Sequence, residues 1–214
     1  MYLNSRIFWF LVLLSIVLII IYQWGIKKNI SLSRKISKIL EDGLGAKDAQ
    51  YTWLGGVLGF SARYLVDGFK KVEAILRLFP RHSLLYWPFA LLLGRRDNLR
   101  LLFYLKDKAS ISNKELLNEF HLIEKGYSSY INNKLNEFKT RDIQLSNKAF
   151  ILFYKKTIPK FLSTKLCSND YFSSIRHIAY TPDKAILYFE FIGIKEDILK
   201  NFLSKLDLFY NING

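Results

Sequence analysis

Residues 7–22, IFWFLVLLSIVLIIIY, carry no charged side chain, and the apolar character runs on through Gln23, Trp24 and Gly25 to Ile26. No other stretch limits the fold so strongly. About 20 such residues rise ~30 Å as an α-helix, the thickness of a bilayer's hydrocarbon core. Trp9 near one end and Trp24 near the other have amphipathic rings that suit headgroup depth. The run therefore reads as a single transmembrane helix. A cleaved signal peptide is the competing reading, but the exit YQWGIKKN presents bulky groups where a peptidase requires small ones.

The flanking cations set an expected orientation. Arg6 precedes the run, whereas Lys27, Lys28, Arg34, Lys35 and Lys38 follow it. By the positive-inside rule the remainder of the chain stays in the cytoplasm, giving a single-pass protein of the cell membrane. A lone cysteine, Cys167, has no intramolecular disulfide partner and agrees with that side. The chain divides on this reading into an anchor at 1–26, a juxtamembrane segment and linker at 27–55, and a cytoplasmic domain at 56–214. In the middle part, SLSRKISKILEDGLG offers Ser33 as a helix cap and Ile36, Ile39 and Leu40 as one apolar face. That segment either lies on the membrane or is a solvated connector. Glycines at 43, 45, 55 and 56 mark the linker.

Beyond the linker the pattern becomes that of a sheet. Asp67-Gly68 between alternating runs signals a tight hairpin, with strands expected at 56–66 and 69–79. LLYWPFALLLGRR is too short to cross a bilayer as a helix. It reads instead as a strand at 89–93 joined through Arg95 to Asn98 to another at 99–106, with Pro88 at the strand start. Its leucines are either core or lipid-facing. SNKELLNEFHLIEKG has a capping box in Ser112 and Glu115 and predicts a helix to Gly126, followed by a second through Ile131, Leu135 and Phe138. KAFILFYKK reads as a strand and residues 157–166 as a short helix. Thr181-Pro182-Asp183-Lys184 forms a turn between two strands, and the last helix starts at Lys195. The expected fold is α+β: an N-terminal transmembrane helix, then a mainly antiparallel sheet with interspersed helices.

Chemistry is less legible. His82, His121, His177 and Cys167 lack metal-ligand spacing, no Gly-x-Ser-x-Gly elbow occurs, and neither a phosphate loop nor a dinucleotide fingerprint is present, so neither metal nor cofactor is expected. One polar constellation stands out. Arg77, Arg81, His82, Arg95, Arg96 and Arg100 gather around neighbouring loops as a candidate anion site, with His82 or Asp97 available for proton transfer. Tyr86 and Trp87, with Trp9 and Trp24, are the candidate membrane-interface residues. The net charge of +14 favours anionic partners, but the cations are spread along the chain and no nucleic-acid recognition motif occurs. The expected function is a non-catalytic binding or scaffolding module at the membrane surface, with anionic lipid headgroups and a membrane protein as partners. An enzyme acting on a phosphorylated lipid is the alternative, and nucleic-acid binding the second.

Overall fold

The computed structural model describes residues 5–106, 118–127, 135, 137–156, 158 and 170–206. Helix α1, Ser5–Leu44, continues unbroken for 40 residues, a length of ~60 Å. Its two halves meet different surroundings. The most apolar 18 residues have a mean hydropathy of 2.5 and none is buried, so this is a helix long and apolar enough to cross a membrane. From Gly25 onward a stripe of Gly25, Asn29, Ser33, Ile36 and Leu40 is buried at four- and three-residue spacing, which keeps it on one face. No new helix starts at Ser33. That serine is buried within a continuous helix, and Ile36, Ile39 and Leu40 join the protein core rather than a membrane surface or solvent.

Among the described residues nine strands follow: β1 Asp48–Trp53, β2 Gly59–Leu65, β3 Phe69–Arg77, β4 Asn98–Leu105, β5 Phe120–Glu124, β6 Lys139–Leu145, β7 Lys148–Tyr154, β8 Ile175–Thr181 and β9 Ile186–Ile192. They form one sheet in the order β1-β2-β3-β4-β9-β8-β5-β7-β6, and every neighbouring pair is antiparallel. With α2, Trp87–Leu92, and α3, Glu196–Ser204, this is the expected α+β fold. The Asp67-Gly68 hairpin is present, with Gly68 at φ 83° and the Phe69 amide donating to the Val66 carbonyl at 3.4 Å.

One sheet face carries Phe60, Val72, Leu76, Leu101, Phe103, Phe189 and Phe191, all buried beneath the second half of α1 and α3. Alternation along each strand puts these residues on a common side. Phe202 of α3 meets Phe189 and Phe191 edge-on, with ring centroids 4.8 and 4.9 Å apart. Each fully buried side chain of this size contributes ~1.5–3 kcal/mol. Gly43 lets α1 approach α3, since a Cβ there would stand 2.6 Å from Leu203 Cδ1.

Several local expectations fail. Residues 48–53 of the expected linker form β1, because the Lys47 amide and the strand after it find hydrogen-bond partners along β2. Residues 89–93 belong mostly to α2 rather than a strand. Part of the expected capped helix, 120–124, is strand β5; Phe120, Leu122 and Ile123 are all buried, so pairing with β7 and β8 overrides the helical period. Residues 107–117 lie outside the described residues, as do Ile131 and most of the expected helix at 157–166. Phe138 immediately precedes β6.

The other sheet face is polar across its centre. His177 on β8 stands beside Glu190 on β9, which stands beside Arg100 on β4. His121, on β5 and not on a helix, brings its Nδ1 to 3.2 Å from His177 Nε2, and Glu119 and Tyr188 flank the pair. Burial, followed by the charges of His121 and Arg100, pushes the His177 pKa down to about 3. His121 is also lowered, burial outweighing the pull of Glu119. Below the ordinary histidine value the unfolded chain therefore takes up protons that the folded chain refuses, and stability falls as pH falls. Unfolding of the full chain by urea in detergent micelles should lose ~1.4 kcal/mol per pH unit for His177 between about pH 6 and 4. His177→Gln should flatten that dependence; an equal slope in the variant would contradict it.

Candidate functional site

The sequence around α2 explains why it is a helix. Pro88 sits in its first turn, where a missing N–H costs nothing. Gly94, at φ 62°, closes it: the Gly94 amide donates to the Leu91 carbonyl and the Arg95 amide to the Ala90 carbonyl, both at 2.9 Å. That pair of bonds is a Schellman cap. Proline in the first turn and glycine just past the last are the signals that identify this helix from sequence, and they lie in plain view within WPFALLLG.

The preceding loop is clamped to α1. At Gly25 a Cβ would fall 2.4 Å from the Arg81 carbonyl carbon and the His82 amide nitrogen, so the helix and the loop backbone touch directly. Asn29 Nδ2 donates to the Phe79 carbonyl at 3.0 Å, and Arg81 Nη1 donates to Asn29 Oδ1 at 3.0 Å. Arg81 also holds Asp97 with two parallel bonds of 2.9 and 2.5 Å, while Asp97 Oδ1 accepts the Phe79 amide at 2.8 Å. The His82 ring meets Tyr22 edge-on at 5.9 Å.

α2 thus emerges beside the end of the apolar run. Of its surroundings, Leu85, Phe89, Leu91, Leu92 and Leu93 are all exposed, Leu92 to 85% and Leu85 to 80%. Tyr86 and Trp87, the residues expected at a lipid interface, are half-buried. Trp87 Nε1 donates to the Arg81 carbonyl at 3.1 Å, and the Arg95 guanidinium lies over the Tyr86 ring at 5.3 Å. These two aromatics fasten the helix; the leucines and Phe89 form its outer surface. Trp9 and Trp24 lie on α1 and are exposed.

Behind this surface is a cavity of about 800 Å³. It brings together Arg77, His82, Arg95, Arg96 and Arg100 of the expected anion site, and adds Arg176, Glu190 and Tyr127. Arg81 and Asp97 are not part of its lining; they are consumed by the clamp. Of the two residues offered for proton transfer, His82 lies in the cavity and Asp97 lies in the clamp, bonded to Arg81 and the Phe79 amide. Arg176 and Glu190 escape sequence reasoning because they arrive from β8 and β9, far along the chain from the arginine loops, and only the strand order makes them neighbours. Glu190 accepts Asn98 Nδ2 at 2.7 Å and Arg100 Nε at 3.3 Å. The Arg176 guanidinium lies over the Tyr127 ring at 4.6 Å. Among the described residues, no group of three or more His, Cys, Asp and Glu side chains could hold a metal ion.

No protein-family model matches the chain, and no curated protein is similar to it.

The clamp makes a quantitative expectation. Arg81 and Asp97 are only 19% and 14% exposed, so removing one partner strands the other's charge and the Phe79 amide. Asp97→Ala should cost ~3 kcal/mol, and Asp97→Asn, which keeps an acceptor for the amide, should cost less. Thermal unfolding of the full chain in micelles measures both; equal melting of D97A and wild type would show the clasp to be dispensable.

Proposed function

We propose that the chain is a single-pass, membrane-anchored binding module whose α+β domain sits on the cytoplasmic face of the cell membrane, with the α2 surface dipped to headgroup depth. The observation that carries this reading is the position of the exposed apolar group. Leu85, Phe89, Leu91, Leu92 and Leu93 project next to the loop that Gly25 and Tyr22 hold at the end of the apolar helix. Such a patch facing water would be an aggregation liability; facing lipid, it gains ~25 cal/mol for each Å² buried. Lys27 and Lys28 on α1, with Arg95 and Arg96 after α2, supply cations near the same level, and each contributes about 1 kcal/mol beside an anionic leaflet.

The cytoplasmic side is supported by the excess of lysine and arginine after the apolar run. Binding is favoured over catalysis because, among the described residues, no hydrogen bond or ion pair joins His82 to a carboxylate that would orient or activate it. Glu190 is held by Asn98 and Arg100, and Asp97 by Arg81.

A polarity-sensitive fluorophore tests the seating. With Cys167 replaced by serine, a label at Leu92→Cys in the full chain reconstituted in vesicles should emit at shorter wavelength than a label at Lys200→Cys on α3. Water-like emission from both positions would reject the dipped surface. A reporter fused after Gly214 should be active inside the cell; activity outside would reverse the orientation.

A further inference from the structure

The cavity behind α2 has the wrong electrostatics to be only a fold in the surface. Five arginines line it, Arg77 from β3, Arg95 and Arg96 from the α2–β4 connection, Arg100 from β4 and Arg176 from β8. Against them stands one carboxylate, Glu190, whose Oε1 already accepts two bonds. Among the described residues no ion pair involves Arg77, Arg95 or Arg96. Like charges gathered in a concavity raise its potential and attract anions from solution.

Polar satisfaction points the same way. Three buried side-chain atoms among the described residues have no hydrogen-bond partner: His82 Nδ1, Asn98 Oδ1 and Arg176 Nε. All three residues line this cavity. Arg176 Nε reaches only a distant oxygen of Glu124 at 3.7 Å. Buried polar atoms are normally paired, so a cluster of exceptions around one concave site points to a polar ligand: Arg176 Nε calls for an acceptor such as a phosphoryl oxygen, Asn98 Oδ1 for a donor such as a ligand hydroxyl, and His82 Nδ1 serves either according to its tautomer.

The remaining wall is apolar and leads outward. Leu54, Leu58, Leu78 and Ile192 line it, and Tyr86 and Leu93 join it to the exposed surface of α2. A cavity of about 800 Å³ suits a small ligand. We infer that it takes the phosphorylated headgroup of a membrane lipid, a phosphomonoester or pyrophosphate, with the phosphoryl oxygens among Arg77, Arg100 and Arg176 and the acyl portion leaving along Leu93. The excess of four cations over the single carboxylate favours a headgroup with two or more negative charges over a monoanionic diester. Guanidinium groups suit such a group because their paired N–H bonds match the spacing of phosphoryl oxygens.

This inference rests on the proposed membrane seating for its lipid source, and one experiment separates the two. The full chain in neutral detergent micelles is titrated calorimetrically with dioctanoyl phosphatidic acid, dioctanoyl phosphatidylglycerol and glycerol 3-phosphate. Wild type should bind the phosphomonoester lipid about tenfold more tightly than either of the others, and Arg176→Gln should lose about that factor. Arg96→Gln, on the exposed connection and in no ion pair among the described residues, should weaken binding with the melting temperature unchanged. Equal affinity for the two lipids, or no loss in either variant, would overturn the phosphomonoester site. Equal affinity for glycerol 3-phosphate would overturn the lipid source and leave a site for soluble phosphate esters. Tight, variant-sensitive lipid binding combined with a water-like label at Leu92 would sustain the cavity and reject the seating; the converse pair would do the reverse.

Discussion

The contact between α1 and the loop 79–82 sets the geometry on which the rest depends. A side chain at position 25 would collide with the backbone of Arg81 and His82, so only glycine allows the helix and loop to meet there. Above that point Tyr22 touches His82, and below it Asn29 bonds both to the Phe79 carbonyl and to Arg81. The loop is thereby fixed against three successive turns of a helix. A domain joined to an apolar helix by a mobile linker would sample many orientations. This one is held through a bidentate Arg81–Asp97 pair and a close backbone approach, and its tilt relative to the apolar segment is set by packing.

The same helix has two halves of different character, and the change occurs at Gly25. Before it, side chains of the apolar run project outward all round and none is buried. After it, a stripe spaced by three and four residues enters the core with α3 and the sheet, and cations occupy the opposite side. A helix apolar on every side suits hydrocarbon, whereas an amphipathic one suits a protein surface in water. The helix runs unbroken through the junction, so the direction of the apolar half is fixed relative to the half packed in the core.

Elements whose local preferences agreed with their surroundings were legible in the sequence. The apolar helix, the Asp67-Gly68 hairpin, β7, the turn after Thr181 and the last helix all rest on patterns that tertiary packing only reinforces. Misreadings came where a competing constraint won. Phe120 to Glu124 carries a helical period, but a slot between β7 and β8 with both sides covered made it a strand. At 87–92 a proline and a glycine at the two ends specified a short helix, while the leucines between them suggested a strand to a reader who expects short apolar runs to be buried. The cavity was half legible. Its loop arginines lie close together in sequence, but Arg176 and Glu190 reach it only because β9 and β8 follow β4 in the sheet order, a long-range pairing that no local pattern encodes.

Separating the arginines into two roles resolves why so many occupy one region. Arg81 is saturated: its guanidinium spans Asn29 and both oxygens of Asp97, so its charge is neutralised within the protein and contributes orientation. Arg100 is partly neutralised by Glu190. Arg77, Arg95 and Arg96 have no such counter-charge among the described residues, and Arg176 has only a carboxylate at 3.7 Å. Arg77, Arg95 and Arg96 are exposed, so solvent screens their mutual repulsion, and their shared sign still biases the concavity toward anions. On the proposed reading, the exposed leucines in front of this charge favour an anion that carries an apolar tail.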